Sequence, residues 1–345
     1  MALAPQQRMS RALHELITQY GLSWSYQVAA VLLSRVLPVA AVSAKTVERT
    51  TKRTACRREE QEAAEAAACQ RLPVELGDAL SLPPAPTLPQ FQQPERIFVA
   101  LDGILVRSRT ARNWLEIQVG SLWSAWRDLP ERKHPRRLIL DRTFVARALG
   151  WEELGAQVWR VFVARGGREK ARPSLRTSER TEVVVLGDGA AGIRSLWEMW
   201  FPGCRALLDP WHLWKKVKER AREVLGNRER ALGAAQMVYG RLKRGALAEA
   251  CELIELWPAG SDWARERRVR LLAFLERNRD TIQDYEELRA RGYMTGSGLT
   301  EKQNDMVVEP RMKNGKMHWG RPGANAVALL RARVLNDPYG ALLPP

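Results

Sequence analysis

The chain has 345 residues, 45% of them hydrophobic, which is enough for a sizeable core and one or two smaller domains and excludes a disordered tail. Lys and Arg number 55 against 39 Asp and Glu, and the resulting net charge of +16 points to a polyanionic partner, nucleic acid being the commonest. Cys56, Cys69, Cys204 and Cys251 form no CxxC pair, no signal-peptide pattern opens the sequence, and the apolar stretch 28–44 is broken by Arg35 and Pro38; zinc ribbon, disulfide framework and membrane span are all excluded, and a reducing cytoplasmic setting is expected.

Residues 1–70 read as a helical region. The run "YQVAAVLLSRVLPVAAVSAKTVERTTKR" predicts an apolar helix, a break at Pro38, and a basic helix with Ser43 as its N-cap. That is the layout of a helix-turn-helix DNA reader as well as of any helical hairpin. On the first reading, Lys45, Arg49, Lys52 and Arg53 are the DNA-contacting candidates. Residues 59–70 continue as an Ala/Glu-rich helix. The proline-dense stretch 71–95 predicts an extended linker and the first domain boundary, because proline removes backbone donors and blocks helix and central strand alike.

Strands are expected at 97–101, 115–122 and 138–140, a helix over 151–164, a strand at 183–186, a helix over 193–201 and a strand at 206–208. Together they make 96–212 a mixed α/β core. The segment 213–292 is helical and charged throughout. The segment 293–345 carries a helix from Leu299 and a last one over "ANAVALLRARVLN".

Asp102 ends "IFVALD" and Asp188 follows "VVVLG", so each is expected to leave the C-terminal end of an apolar strand, where ligand sites of α/β sheets gather. Glu301 opens a helix after "GYMTGSGLT". Three carboxylates on separate elements can converge on hard divalent cations, whereas a single strand-end Asp is more often a cap or turn residue. A rival motif overlaps the second of them. Gly187, Gly189 and Gly192 form G-x-G-x-x-G between strand and helix, and Asp209 follows 22 residues after Gly187 (209 − 187), the spacing of a dinucleotide-binding oxidoreductase. Against it, Asp188 sets a negative charge where a pyrophosphate would lie, and no second strand–helix–strand half follows.

The segment "VVVLGDGAAGIRSLWEMWFPGCRALLDPWHLWKKVKE" resembles the core of bacterial insertion-sequence DDE/E transposases of the mutator-like and ISKra-type groups. Their G-D-G-A motif, followed by D-x-x-H, matches Asp188 and the pair Asp209 and His212. The tail "TGSGLTEKQNDMVVEPRMKNGKMHWGRPGANAVALLRA" is similar to the same family's G-S-G-x-x-E helix and the blocks after it, which matches Glu301, Arg311 and Trp319. "VALDGILVRSR" resembles its first strand and matches Asp102.

The resemblance spans about residues 20–340. It implies an RNase H-like fold interrupted by an all-helical insertion, and two Mg2+ or Mn2+ ions held by Asp102, Asp188 and Glu301. It also implies hydrolysis at transposon ends followed by attack of the freed 3′-hydroxyl on target DNA. Asp209, His212, Arg311 and Trp319 would stand around those carboxylates, with Asp209 and His212 as a buried structural pair being the other reading. The partners implied are double-stranded DNA and further copies of the chain on it, in a bacterial nucleoid. Relatives carry a cysteine-rich zinc-ribbon segment ahead of the helical region and an aromatic residue where Gly192 stands. A DNA-binding remnant that no longer cuts is the second reading of the same motifs. Of the 13 tryptophans, Trp123, Trp126, Trp197, Trp200, Trp211 and Trp214 read as core residues, with base stacking as the alternative for one or two.

Overall fold

The computed structural model describes residues 9–37, 42–70, 91, 95–110, 114–129, 136–167, 180–295, 299–313 and 317–343, with the backbone alone for Gln70, Arg136 and 299–301. These residues form an α/β protein of two compact units, Met1–Glu182 with Lys302–Pro345, and Val183–Glu301. The predicted break at Pro38 and nearly all of the predicted linker 71–95 lie outside the described residues.

In the first unit α1 (Arg11–Ser23), α2 (Tyr26–Val36) and α3 (Ala44–Gln70) pack together. Ser10 and Ser25 cap the first two, and Ser43 Oγ accepts from the Thr46 N–H at 3.1 Å, the N-cap expected of it. Gly21 lets α1 meet α3, since a Cβ there would stand 2.5 Å from Thr51 Oγ1. The helices are not a detached module, because α3 also packs on α4 (Trp151–Ala164) and on α13 (Arg321–Asn336).

The sheet of this unit runs β5 (Thr143–Arg147), β2 (Trp114–Trp123), β1 (Arg96–Arg107), all antiparallel. Two features depart from the sequence-based expectation. The apolar run 138–140 falls on β4 (Arg136–Ile139), which pairs with β3 (Trp126–Leu129) in a separate two-stranded sheet, and Leu138 and Leu140 are exposed. The third strand of the main sheet is β5, whose five residues "TFVAR" are all buried, Arg147 included; the arginine conceals the apolar character of the run.

The free edge of β5 is covered by α13. Asn336 accepts from Phe144 N–H at 2.7 Å and donates to its carbonyl at 2.9 Å, and Asn325 accepts from Ala148 N–H at 3.0 Å. An edge strand left open would be a template for aggregation. Further along α13, Arg331 donates to the carbonyls of Leu22 in α1 and of Met306 and Val307 at the end of α11 (Leu299–Val307), which the one-turn α12 (Glu309–Met312) follows.

In the second unit β6 (Glu182–Gly187) and β7 (Arg205–Leu208) are parallel, joined by α5 (Ala191–Trp200) as a crossover helix. Then follow α6 (Pro210–Leu225), α7 (Arg228–Leu242), α8 (Leu247–Glu255), α9 (Asp262–Arg277) and α10 (Tyr285–Ala290), the helical stretch expected from the composition. Leu213, Val217, Ala221 and Val224 recur along one face of α6 and share an apolar core with Ala235 and Val238 of α7 and Leu271 and Leu275 of α9. Tyr285 donates its hydroxyl to Leu208 O at 2.7 Å, and Leu208 N–H donates to Thr281 O, so the helices are tied to β7. No helix among the described residues is long and apolar enough to cross a membrane.

Candidate active site

Asp102 lies in the middle of β1 opposite Val119, not at the strand's end as "IFVALD" predicts. The strand runs on because Ile104 and Val106 are buried and pair with Ile117 and Leu115. The Asp102 carboxylate is 5% exposed. Gly103 N–H donates to Oδ1 and the Asn304 side-chain amide donates to Oδ2, both at 2.8 Å. An ionised carboxylate only accepts, so the NH2 of Asn304 must face it. That leaves Asn304 Oδ1 buried and without a hydrogen-bond partner among the described residues.

Beside it Gln303, fully buried, accepts from Ser121 Oγ at 2.8 Å and donates to Val119 O at 3.0 Å. Arg142 donates to the same hydroxyl at 3.2 Å and lies over the rings of Trp123 and Phe144. Burial lowers the Arg142 guanidinium to about 10. Gln303 and Asn304 therefore pin α11 across β1 and β2. Glu301 is in the same helix, one turn before Asn304; its side chain lies outside the described residues. Neither amide was legible as a site residue, because polar residues in "EKQNDMVV" ordinarily face water.

In the second unit Asp188 follows β6 as expected. Its Oδ1 accepts from Ala190 N–H at 2.8 Å, and Gly189 between them takes a positive φ of 81°, which its lack of a Cβ permits. Asp209 N–H donates to Gly187 O at 2.7 Å, extending the ladder between β6 and β7, and brings Asp209 beside the Asp188 turn. Asp209 is fully buried, and its Oδ2 is 2.8 Å from His212 Nδ1. A buried carboxylate takes Nδ1–H and so fixes the tautomer with the lone pair on Nε2. This is the pair that the resemblance to a D-x-x-H motif implied, and its burial also fits the structural alternative.

The glycine motif leaves little room for a dinucleotide. The Asp188 carboxylate closes the turn just before α5 on the Ala190 N–H, where its charge would face a pyrophosphate. A Cβ on Gly189 would stand 2.9 Å from both Asn278 Oδ1 and Leu208 Cδ1, and the cavity there holds about 20 Å3, room for a single water.

Lys45, Arg49 and Arg53 recur every four residues on the exposed face of α3, and Lys52 pairs with Glu48 at 2.6 Å. Arg311 and Trp319 meet each other, with the guanidinium 4.9 Å from the ring, but at the end of β1 and not beside Asp102. Trp319 exchanges backbone hydrogen bonds with Arg107 and Arg109, and Ser108 between them is six residues, ~20 Å of extended strand, past Asp102. Compared with known proteins, the chain matches no family model and no curated protein.

Proposed function

We propose that this chain is a DNA strand-transfer enzyme of the DDE/E transposase kind, with an RNase H-like core and with Asp102, Asp188 and Glu301 as its catalytic carboxylates. The observation that carries the reading is the setting of Asp102: a buried carboxylate in the middle of β1, clamped to the helix of Glu301, with the orphaned Asn304 Oδ1 beside it. An oxygen-only donor set fits Mg2+ or Mn2+ and not a soft metal. Asp102, Asp188 and Glu301 would hold the ions, which when bound activate an attacking oxygen and stabilise the leaving one.

The residues of the chain divide the remaining work. Gly103 N–H and Asn304 fix the Asp102 carboxylate in one orientation. The turn at Gly189 holds Asp188 at the head of α5. Asp209 orients His212, whose Nε2 can accept a proton from a bound hydroxyl or water. The exposed cations of α3 supply phosphate contacts for duplex DNA. The order of elements also supports the reading: three antiparallel strands, a helix, a parallel strand–helix–strand, then a helical stretch before the helix of the third carboxylate. Joining two transposon ends to one target calls for more than one copy of the chain on the DNA.

The test is cleavage of duplex DNA carrying the sequences that flank the chain's own gene, in Mn2+ and in Mg2+. Asp102→Asn, Asp188→Asn and Glu301→Gln should each abolish cleavage and leave binding in place. Binding without cleavage by the parent chain establishes the remnant reading instead.

A further inference from the structure

A cleft of about 630 Å3 opens in the first unit, lined by Tyr26, Lys45, Glu48, Arg109, Arg311 and Trp319 among others. Its charge is lopsided. Glu48 is engaged by Lys52, which leaves Lys45, Arg109 and Arg311 unopposed on its walls.

Arg311 is the unusual member. It is 2% exposed and forms no ion pair among the described residues: Nε donates to Gly21 O at 3.0 Å and Nη1 contacts Met317 Sδ at 3.1 Å. One carbonyl and one thioether answer a group with five N–H donors, and the Tyr26 and Trp319 rings lie against its faces without supplying a counter-charge. The other buried arginines are better served. Arg147 meets Glu62 and Arg165 meets Asp141, while Arg331 and Arg58 each reach three backbone carbonyl contacts. Leaving a cation buried without a counter-charge is costly, so such an arrangement persists where an anion completes it.

A second group in the same wall is also incomplete. The Tyr26 hydroxyl is buried with no hydrogen-bond partner among the described residues, 5.0 Å separating its ring from the Arg311 guanidinium. Burial pushes this hydroxyl up to about 12, so it stays protonated and is a donor at neutral pH. Three cations and a phenolic donor form the chemical complement of a phosphate, while the Glu48 carboxylate of the same wall is paired with Lys52. The volume is that of a small-molecule site, larger than one phosphate needs. Lys45 is also the first member of the exposed series Lys45, Arg49, Arg53 and Arg57, whose four-residue steps rise ~6 Å each along α3 and lead away from the cleft.

We propose that this cleft is a phosphodiester pocket, which takes a backbone phosphate and its adjoining nucleotide while the α3 series carries the neighbouring phosphates. That the phosphate belongs to DNA rests on the transposase reading; the pocket chemistry itself does not.

The experiment is equilibrium binding of a fluorescein-labelled DNA duplex by the full chain across a salt series, with AMP as a competitor. Lys45→Gln and Arg109→Gln change exposed side chains and should each weaken binding ~5-fold and flatten the log–log salt slope by about 0.9. Tyr26→Phe should weaken binding ~3-fold at an unchanged slope, since it removes a donor and no charge. Arg311→Lys should weaken it at an unchanged slope as well, because the charge stays and the planar fork is lost. If Lys45→Gln and Arg109→Gln bind the duplex with parent affinity and slope, the pocket is wrong, whatever the cleavage assay shows. AMP displacing the duplex at micromolar concentration from the parent, but not from Arg109→Gln, overturns the DNA assignment in favour of a free nucleotide. Duplex held through the cleft with no cut in Mn2+ sinks the enzyme reading and leaves the pocket standing.

Discussion

The two units are held together by different physics. In the first, charge is buried: Glu62 of α3 receives Arg147 of β5 and Arg160 of α4, Arg160 reaches Glu65 at 2.7 Å, and Arg165 meets Asp141 at 2.8 Å. In the second, ion pairs such as Arg194–Asp280, Arg241–Glu249 and Lys243–Glu286 lie on the solvent side of an apolar core. Buried pairs hold a geometry at high cost if one partner goes; surface pairs contribute ~0–1 kcal/mol. The candidate carboxylates follow the same division. Asp102 relies on Asn304, 202 residues away, in addition to the next backbone amide, whereas the contact that holds Asp188 is a backbone amide two residues on.

The largest effect is expected at the locally held carboxylate. Asn in place of Asp188 can still accept from Ala190 N–H, so the turn should survive and unfolding should shift by less than ~0.5 kcal/mol, while DNA cleavage falls by several orders of magnitude. A large drop in melting temperature would show that charge at this turn serves the fold as well.

Next is Glu62→Gln, which strands Arg147 in a buried position and should cost ~3–5 kcal/mol in urea unfolding. The acid response carries the same sign. Burial alone would raise the Glu62 carboxyl, but Arg160 and Arg147 hold it below its ordinary value. Its stabilisation is therefore present above the unfolded-state value of about 4.3 and is lost as pH falls through the lower folded one. Parent protein should lose stability below about pH 4.3 more steeply than Glu62→Gln does, and equal slopes would remove Glu62 from the account.

Asn304→Ala and His212→Gln test the groups that orient the site. Each should lower cleavage ~10–100-fold at near-parent DNA affinity, and a shifted Mn2+ requirement for Asn304→Ala would localise its effect at Asp102. The smallest effect belongs to Asp280→Asn, below ~1 kcal/mol in urea unfolding, because Asp280 is solvent-exposed and its partner Arg194 only half-buried. If it rivals Glu62→Gln, the contrast between the units collapses.

Local signals were legible and long-range ones were not. The Asp188 turn, the Ser43 cap and the helical stretch after residue 213 could be read because each is decided within a few residues, and the Asp209–His212 pair came from a resemblance to a four-residue motif. β5 was missed because its charge is neutralised by Glu62, 85 residues distant. The middle-of-strand position of Asp102 was missed because a charge after an apolar run looks like an ending, and only pairing with β2 carries the strand past it. Gln303 and Asn304 became site residues only once β1 and β2 supplied their partners.

Arg331 has a mechanical meaning beyond its hydrogen bonds. One guanidinium ties the last carbonyls of α11 to Leu22 at the end of α1, and α1 packs on the helix that bears the basic series. A load applied to α3 therefore has a lever arm onto the helix of Glu301, and a shift of that helix is returned to α1 by the same fulcrum. The end of α11 and the end of α1 thus share one guanidinium as a common anchor.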